Sequence, residues 1–119
     1  MTYVDGFVLP VKKKQLATYR RMAEQAGKVW RHHGALEFHE SVADDVPYGK
    51  RTSFPRSVKL KRGEIVVFSY IVYRSRVDRD RVMAKVMKDK RIEAMMKSEK
   101  VPFDGKRMIF GGFKTMVNV

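Results

Sequence analysis

Nine residues, Ile65 to Tyr73, constrain this chain more than any other segment. Ile-Val-Val-Phe-Ser-Tyr-Ile-Val-Tyr is β-prone throughout and apolar at both parities, with Ser69 as its one interruption. A strand of this kind is covered on both faces. One layer must lie above it and another below, whether the chain supplies both or a second copy supplies one. The run is less than half a membrane span.

The other elements arrange themselves around that strand. Residues 3–9 read Tyr-Val-Asp-Gly-Phe-Val-Leu and are stopped by Pro10, which suits a first strand. From Lys13 to His33, Leu16, Tyr19, Ala23, Ala26, Trp30 and His33 recur at helical spacing, and Gly34 supplies a stop. Residues 35–42 alternate, with Leu36, Phe38, Glu40 and Val42 on one face and Glu37, His39 and Ser41 on the other. Residues 44–64 form a long irregular connection, of a length that is often functional. Ser75 with Asp78 opens a second helix whose stripe is Val82, Met83, Val86 and Met87. It continues through Arg91–Ser98, and Pro102 ends it. Asp104-Gly105 is a turn, and Lys106–Phe113 is the last strand, with an extension toward Val117.

The order β-α-β-β-α-β predicts one α+β domain spanning residues 1–119, of the ferredoxin-like kind. Right-handed crossovers put both helices on one face of a four-stranded antiparallel sheet. The opposite face then lacks cover. Sorting by size assigns Val4, Gly6 and Val8 to the helix side and Tyr3, Phe7 and Leu9, with Phe68 and Tyr70, to the open side. Such a patch exceeds what monomers usually expose, so a homodimer paired sheet to sheet is expected.

Composition narrows the class further. With 44% hydrophobic residues in 119, the chain can bury a core. Zero cysteines exclude disulfides, thiolate metal sites and cysteine nucleophiles. The start lacks the pattern of a signal peptide, and the expected location is cytoplasmic.

Several stretches resemble a known family: Tyr3–Phe7, His33–Leu36, Asp44–Pro47 with Gly49–Phe54, Val66–Tyr73 and, most specifically, Pro102–Phe113. Together they make the chain similar to the YbaA-like proteins, domain of unknown function 1428, over nearly its whole length. The resemblance implies a dimeric α+β barrel. It brings no activity, substrate or catalytic residue. Folds of that kind include cofactor-free monooxygenases, haem-handling enzymes and plain ligand binders, so the fold does not choose among them.

Asp5 is the most unusual residue, a mid-strand carboxylate that is expensive to bury unpaired. Arg107, near the start of a neighbouring last strand, is its expected partner. A general base or ligand anchor is one reading; a buried ion pair is the favoured one. Glu37 and His39 share a face and extend the cluster as a proton shuttle, though polar residues on an edge strand are usually solvated. The three histidines lack ligand spacing and Asp44-Asp45 is weak, so no metal and no cofactor is expected. Arg51, Thr52, Ser53 and Phe54 are candidates for a pocket mouth, or for an ordered loop over the sheet edge or partner.

The net charge of +13, from 26 basic and 13 acidic residues, concentrates on the helices. Lys13, Lys14, Arg20, Arg21, Lys28 and Arg31 lie on the first, and Arg81, Lys85 and Lys88 on the second. Non-specific polyanion affinity follows from electrostatics alone. Specific readout does not, because the third strand lacks the Lys/Arg-Gly-aromatic opening of RNA-recognition modules and the basic faces lack a stacking platform.

The leading expectation is therefore a homodimer that binds, or slowly transforms without a cofactor, a small organic molecule. Its cleft lies between sheet and helices or inside the barrel, lined by Asp5, His39, Tyr70 and Arg107. The alternatives are an RNA-associated protein acting through the basic helix face, and an interaction protein without a pocket.

Overall fold

A computed structural model describes residues 1–98 and 101–119, with Ser98 described in its backbone alone. Strand β1 runs Tyr3–Lys12, helix α1 Leu16–His32, strand β2 Glu37–Val42, the one-turn helix α2 Phe54–Ser57 and strand β3 Glu64–Tyr73. Helices α3, Arg76–Met87, and α4, Lys90–Ser98, precede strand β4, Ile109–Lys114. The sheet is antiparallel in the order β2-β3-β1-β4. This is the ferredoxin-like α+β fold, with α1, α3 and α4 sharing one face: Val29, Val82, Val86 and Ile92 pack together on Tyr3, Ile71 and Tyr73.

Local chemistry explains most boundaries. The Ser75 hydroxyl accepts the Asp78 N–H at 3.0 Å and caps α3. Gly34 takes φ +119 just past α1, where a side chain would be strained. Pro10 does not stop β1, because β4 leaves it at Val8↔Ile109 and a strand with one neighbour tolerates proline. Strand β4 begins at Ile109 rather than Lys106, since Arg107 is drawn off to Glu64, and it ends at Lys114, short of the expected extension.

The register corrects the expected faces of β1. Val8 pairs with Phe68 and Gly6 with Tyr70, so Val4, Gly6 and Val8 share the open face with Phe68 and Tyr70. Tyr3, Asp5, Phe7, Leu9 and Val11 face the helices, and Leu9 and Val11 are almost fully buried there. A helix layer is filled to close-packed density by bulky side chains, so size sorts the two sets in the opposite sense from the one assumed. The β2 faces agree with the alternation, for Phe38, Glu40 and Val42 pair with Ile71, Ser69 and Val67 on the helix side.

The long connection is ordered. The Ser53 hydroxyl accepts the Arg56 N–H at 3.1 Å, and Arg56 donates to the carbonyl of Gly49 at 2.9 Å. Val58, with no exposure, anchors the segment on Val8 and Val66 of the open face. Phe54 meets Phe68 edge-on at 6.0 Å. One end of the open face is thus covered by the chain itself, and Phe68, Ile109 and Phe113 stay exposed on the rest.

Candidate functional site

The four residues expected to line one cleft are not brought together. Asp5 lies under the helices, 5% exposed, and its partner is Arg79 of α3 at 2.8 Å, not Arg107. Trp30 donates to the Tyr73 hydroxyl at 3.1 Å, and Tyr73 bonds Asp5 in turn. The Arg79 guanidinium also stacks 4.9 Å over the Tyr3 ring. Burial raises the Asp5 pKa and Arg79 opposes it. Arg107 instead grips Glu64 with two hydrogen bonds of 2.7 and 2.6 Å, binds Asp104 at 3.0 Å and donates to the Lys59 carbonyl at 3.0 Å. The physical reason is position: Arg107 precedes β4 and lies level with the start of β3, far along the sheet from Asp5. His39 and Tyr70 do meet, stacked at 4.6 Å with Glu37 bonding His39 at 2.9 Å, but on the open face.

A different constellation occupies a cleft of about 820 Å³ between α1 and β2. The sheet ends at β2, so this space opens sideways at the margin of the helix layer. Helix α1 contributes Leu16, Tyr19, Ala23 and Gly27 at spacings of three and four, one helical face. The sheet contributes Phe38, Val42 and Val67. Gly27 permits the close approach, since a Cβ there would stand 2.7 Å from the Phe38 ring.

Inside the charged rim of Arg20, Glu24, Lys28 and Arg31, the apolar floor carries a hydrogen-bonded polar group. The Tyr19 hydroxyl donates to Glu40 Oε1 at 2.7 Å. Glu40 also bonds the side chain of Ser69, its cross-strand partner. Glu40 is itself exposed on the edge strand, and desolvation of its carboxyl against α1 raises its pKa, with both hydrogen bonds pulling the other way. Burial and the facing carboxylate hold the Tyr19 phenol neutral, well above its ordinary 10.0. A carboxyl of raised pKa beside a neutral phenol in an apolar cleft is equipped to take up and return a proton. Reading the sequence missed this trio, although each member left a signal. Glu40 is a carboxylate in an otherwise apolar set, Ser69 interrupts the apolar strand, and Tyr19 carries the hydroxyl of the α1 stripe.

Of the cationic residues expected on the helices, Lys13 and Lys14 lie in the turn before α1 and the others on α1 and α3, with Lys88 at the C-cap of α3. Lys13, Lys14, Arg20, Arg21, Lys28, Arg31, Lys85 and Lys88 are exposed, and none of them forms an ion pair among the described residues. Arg81 is the exception, paired with Asp78. Among the described residues no group of three or more His, Asp and Glu is placed to hold a metal ion, and no helix is long and apolar enough to cross a membrane.

Solved structures share the fold. A NIPSNAP family protein from Agrobacterium tumefaciens superposes with a TM-score of 0.61 at 13% identity, covering 96% of this chain and 87% of that one. SnoaB, a cofactor-independent oxygenase from Streptomyces nogalater, superposes with a TM-score of 0.62 at 8% identity, covering 99% and 96%. In sequence, the uncharacterized protein YbaA of Escherichia coli K12 is 45% identical over 118 residues, 99% of each chain. Residues 2–105 match the model of a protein family of unknown function, DUF1428. With the fold, the register and that match in agreement, the chain belongs to the DUF1428 family.

Proposed function

We propose that this protein binds a small organic molecule in the α1–β2 cleft and that Glu40 moves a proton at it. The observation that carries this reading is the Tyr19–Glu40 hydrogen bond beside the apolar floor of the cleft, with Ser69 bonding Glu40 from behind. The cleft volume is of the size that takes a drug-sized ligand. Ionised Glu40 accepts the proton of an acidic C–H or O–H, and the electron pair stays on the ligand. Once protonated, Glu40 no longer needs the Tyr19 hydrogen bond, and that O–H turns to the charge left behind. The likeness to an oxygenase described as cofactor-independent supports a fold able to host such chemistry and assigns none.

Two copies pair through the open faces of their sheets in this reading. That brings His39 and Tyr70 into the shared interior and leaves both α1–β2 clefts at the outer margin. Asp5 and Arg107 serve the fold.

A thermal-shift screen of small organic molecules tests the function. A molecule at a hundred times its Kd adds about 2.7 kcal/mol to stability. Hits should raise the melting temperature of the native chain and lose the effect in Val42→Trp, where an exposed rim residue grows into the cleft. Hits that act equally on both proteins would refute the site.

A second reading rests on eight exposed cations, Lys13, Lys14, Arg20, Arg21, Lys28, Arg31, Lys85 and Lys88, that form no ion pair among the described residues. They give salt-sensitive affinity for RNA and other polyanions. Gel-shift binding that survives about 200 mM salt would raise this reading above simple counterion release, and binding that vanishes there would dismiss it.

A further inference from the structure

Helix α1 presents two parallel stripes to the cleft. The inner one, Leu16, Tyr19, Ala23 and Gly27, closes on the sheet. The outer one, Arg20, Glu24, Lys28 and Arg31, runs along the mouth. From Arg20 to Arg31 is eleven residues, or about 16 Å of helix. Four arginines elsewhere pair with acids, at Asp5–Arg79, Asp78–Arg81, Asp89–Arg91 and Glu64–Arg107, while others such as Arg21 and Arg76 form no ion pair among the described residues. Along the mouth, Arg20, Lys28 and Arg31 stay without an ion-pair partner among the described residues, even with Glu24 in the same row.

We infer that the ligand of this cleft is an amphipathic organic anion, its apolar body on Phe38, Val42 and Val67 and its acidic head against Arg20, Lys28 and Arg31. The inference rests on the cleft reading above and adds the chemistry of the ligand. A free inorganic anion would leave the apolar floor wet. A neutral apolar molecule would draw nothing from the cationic rim, and a cation would be repelled by it. A soluble molecule carrying both an apolar body and a carboxylate or sulfonate uses the apolar floor and the three cations that outnumber Glu24 along the rim. Gly27 sharpens the shape, because it lets the Phe38 ring lie against the helix backbone as a flat side to the cleft.

The probes are 1-anilinonaphthalene-8-sulfonate and its neutral relative N-phenyl-1-naphthylamine, followed by fluorescence titration. The native chain should bind the anion more tightly than the neutral dye. Lys28→Glu with Arg31→Glu should weaken the anion roughly tenfold and leave the neutral dye unchanged. Lys85→Glu with Lys88→Glu makes the same change in net charge away from the cleft and should alter neither. Val42→Trp should weaken both dyes. All these positions are exposed, and far-UV circular dichroism checks that each variant folds. Anion affinity untouched at Lys28 and Arg31, or lowered equally at Lys85 and Lys88, overturns the inference while the cleft reading stands. Anion binding indifferent to Val42→Trp, or no binding of either dye, overturns both.

Discussion

Asp5 in the first strand and Arg79 in the third helix meet at 2.8 Å across 74 residues of sequence, with side chains 7% and 22% exposed. Removing one partner leaves a charge in a site that water barely reaches, which typically costs more than the intact pair contributes. Asp5→Ala should therefore destabilise the fold by about 2–3 kcal/mol, or roughly 10 °C in melting temperature. Arg79→Met should do much the same. The double variant should lose clearly less than the two single losses added, measured by urea denaturation. Simple additivity, or an unchanged Asp5→Ala melt, would return Asp5 to the list of candidate catalytic groups.

Glu40 predicts a pH dependence of the opposite kind from that of an ordinary paired acid. Its pKa is raised in the folded chain, so the native state holds the proton more tightly than the unfolded state does. That contribution is complete below the ordinary value of 4.5 and is lost as pH climbs through the raised native value. Glu40→Gln cannot ionise and escapes the loss. The melting temperature of the native chain minus that of Glu40→Gln should fall as pH rises from about 4.5, then level off. A difference that widens with pH contradicts the assignment.

How far these features were legible in the sequence follows from what each depends on. The element order, the Ser75 cap, the Gly34 stop and the faces of β2 are local, set by spacing of two or by helical repeats within one segment. Which face of β1 the helices cover is not local. Alternation divides Tyr3 to Leu9 into two sets without saying which is inside, and only the pairing of Val8 with Phe68 decides it. The same holds for Asp5, whose partner comes from a helix, and for Arg107, whose partner opens another strand. Tyr19, Glu40 and Ser69 come from three separate elements, so their convergence appears only once α1 is laid over the β2–β3 margin.

Arg107 ties the segment before β4 to the start of β3 and to the long connection. Its fork on Glu64 is bidentate, with side chains 15% and 6% exposed. Arg107→Ala should cost about 2–4 kcal/mol, and Arg107→Lys should recover only part, because an ammonium cannot make both bonds. The bond from Arg107 is also the main reason the Glu64 pKa lies below its usual 4.5. A depressed native pKa contributes stability above the ordinary value and loses it as pH falls through the native one. Acid unfolding of the native chain should therefore show a limb below about pH 4.5 that flattens in Arg107→Ala. An identical acid limb in both proteins would assign that loss to other carboxylates.

The open face of the sheet makes the last prediction. Phe68, Ile109 and Phe113 are 42%, 46% and 63% exposed on it, with Tyr70, Val72 and Val4 half-buried among them. Burying one such side chain contributes about 1.5–3 kcal/mol, and two-fold pairing buries each of them twice. That total is large enough to offset the cost of association. Light scattering should give twice 13.9 kDa for the native chain. Phe68→Asp places a charge in the paired sheets and should shift the protein to single copies with its circular dichroism preserved. Phe110→Asp is the control. Phe110 is 71% exposed, yet its register with Phe7 and their 6.3 Å stacking put it on the helix side of the sheet. Its substitution should leave the mass unchanged. A native chain that scatters as a single copy, or a Phe68→Asp variant that stays paired, would show that these sheets do not meet face to face.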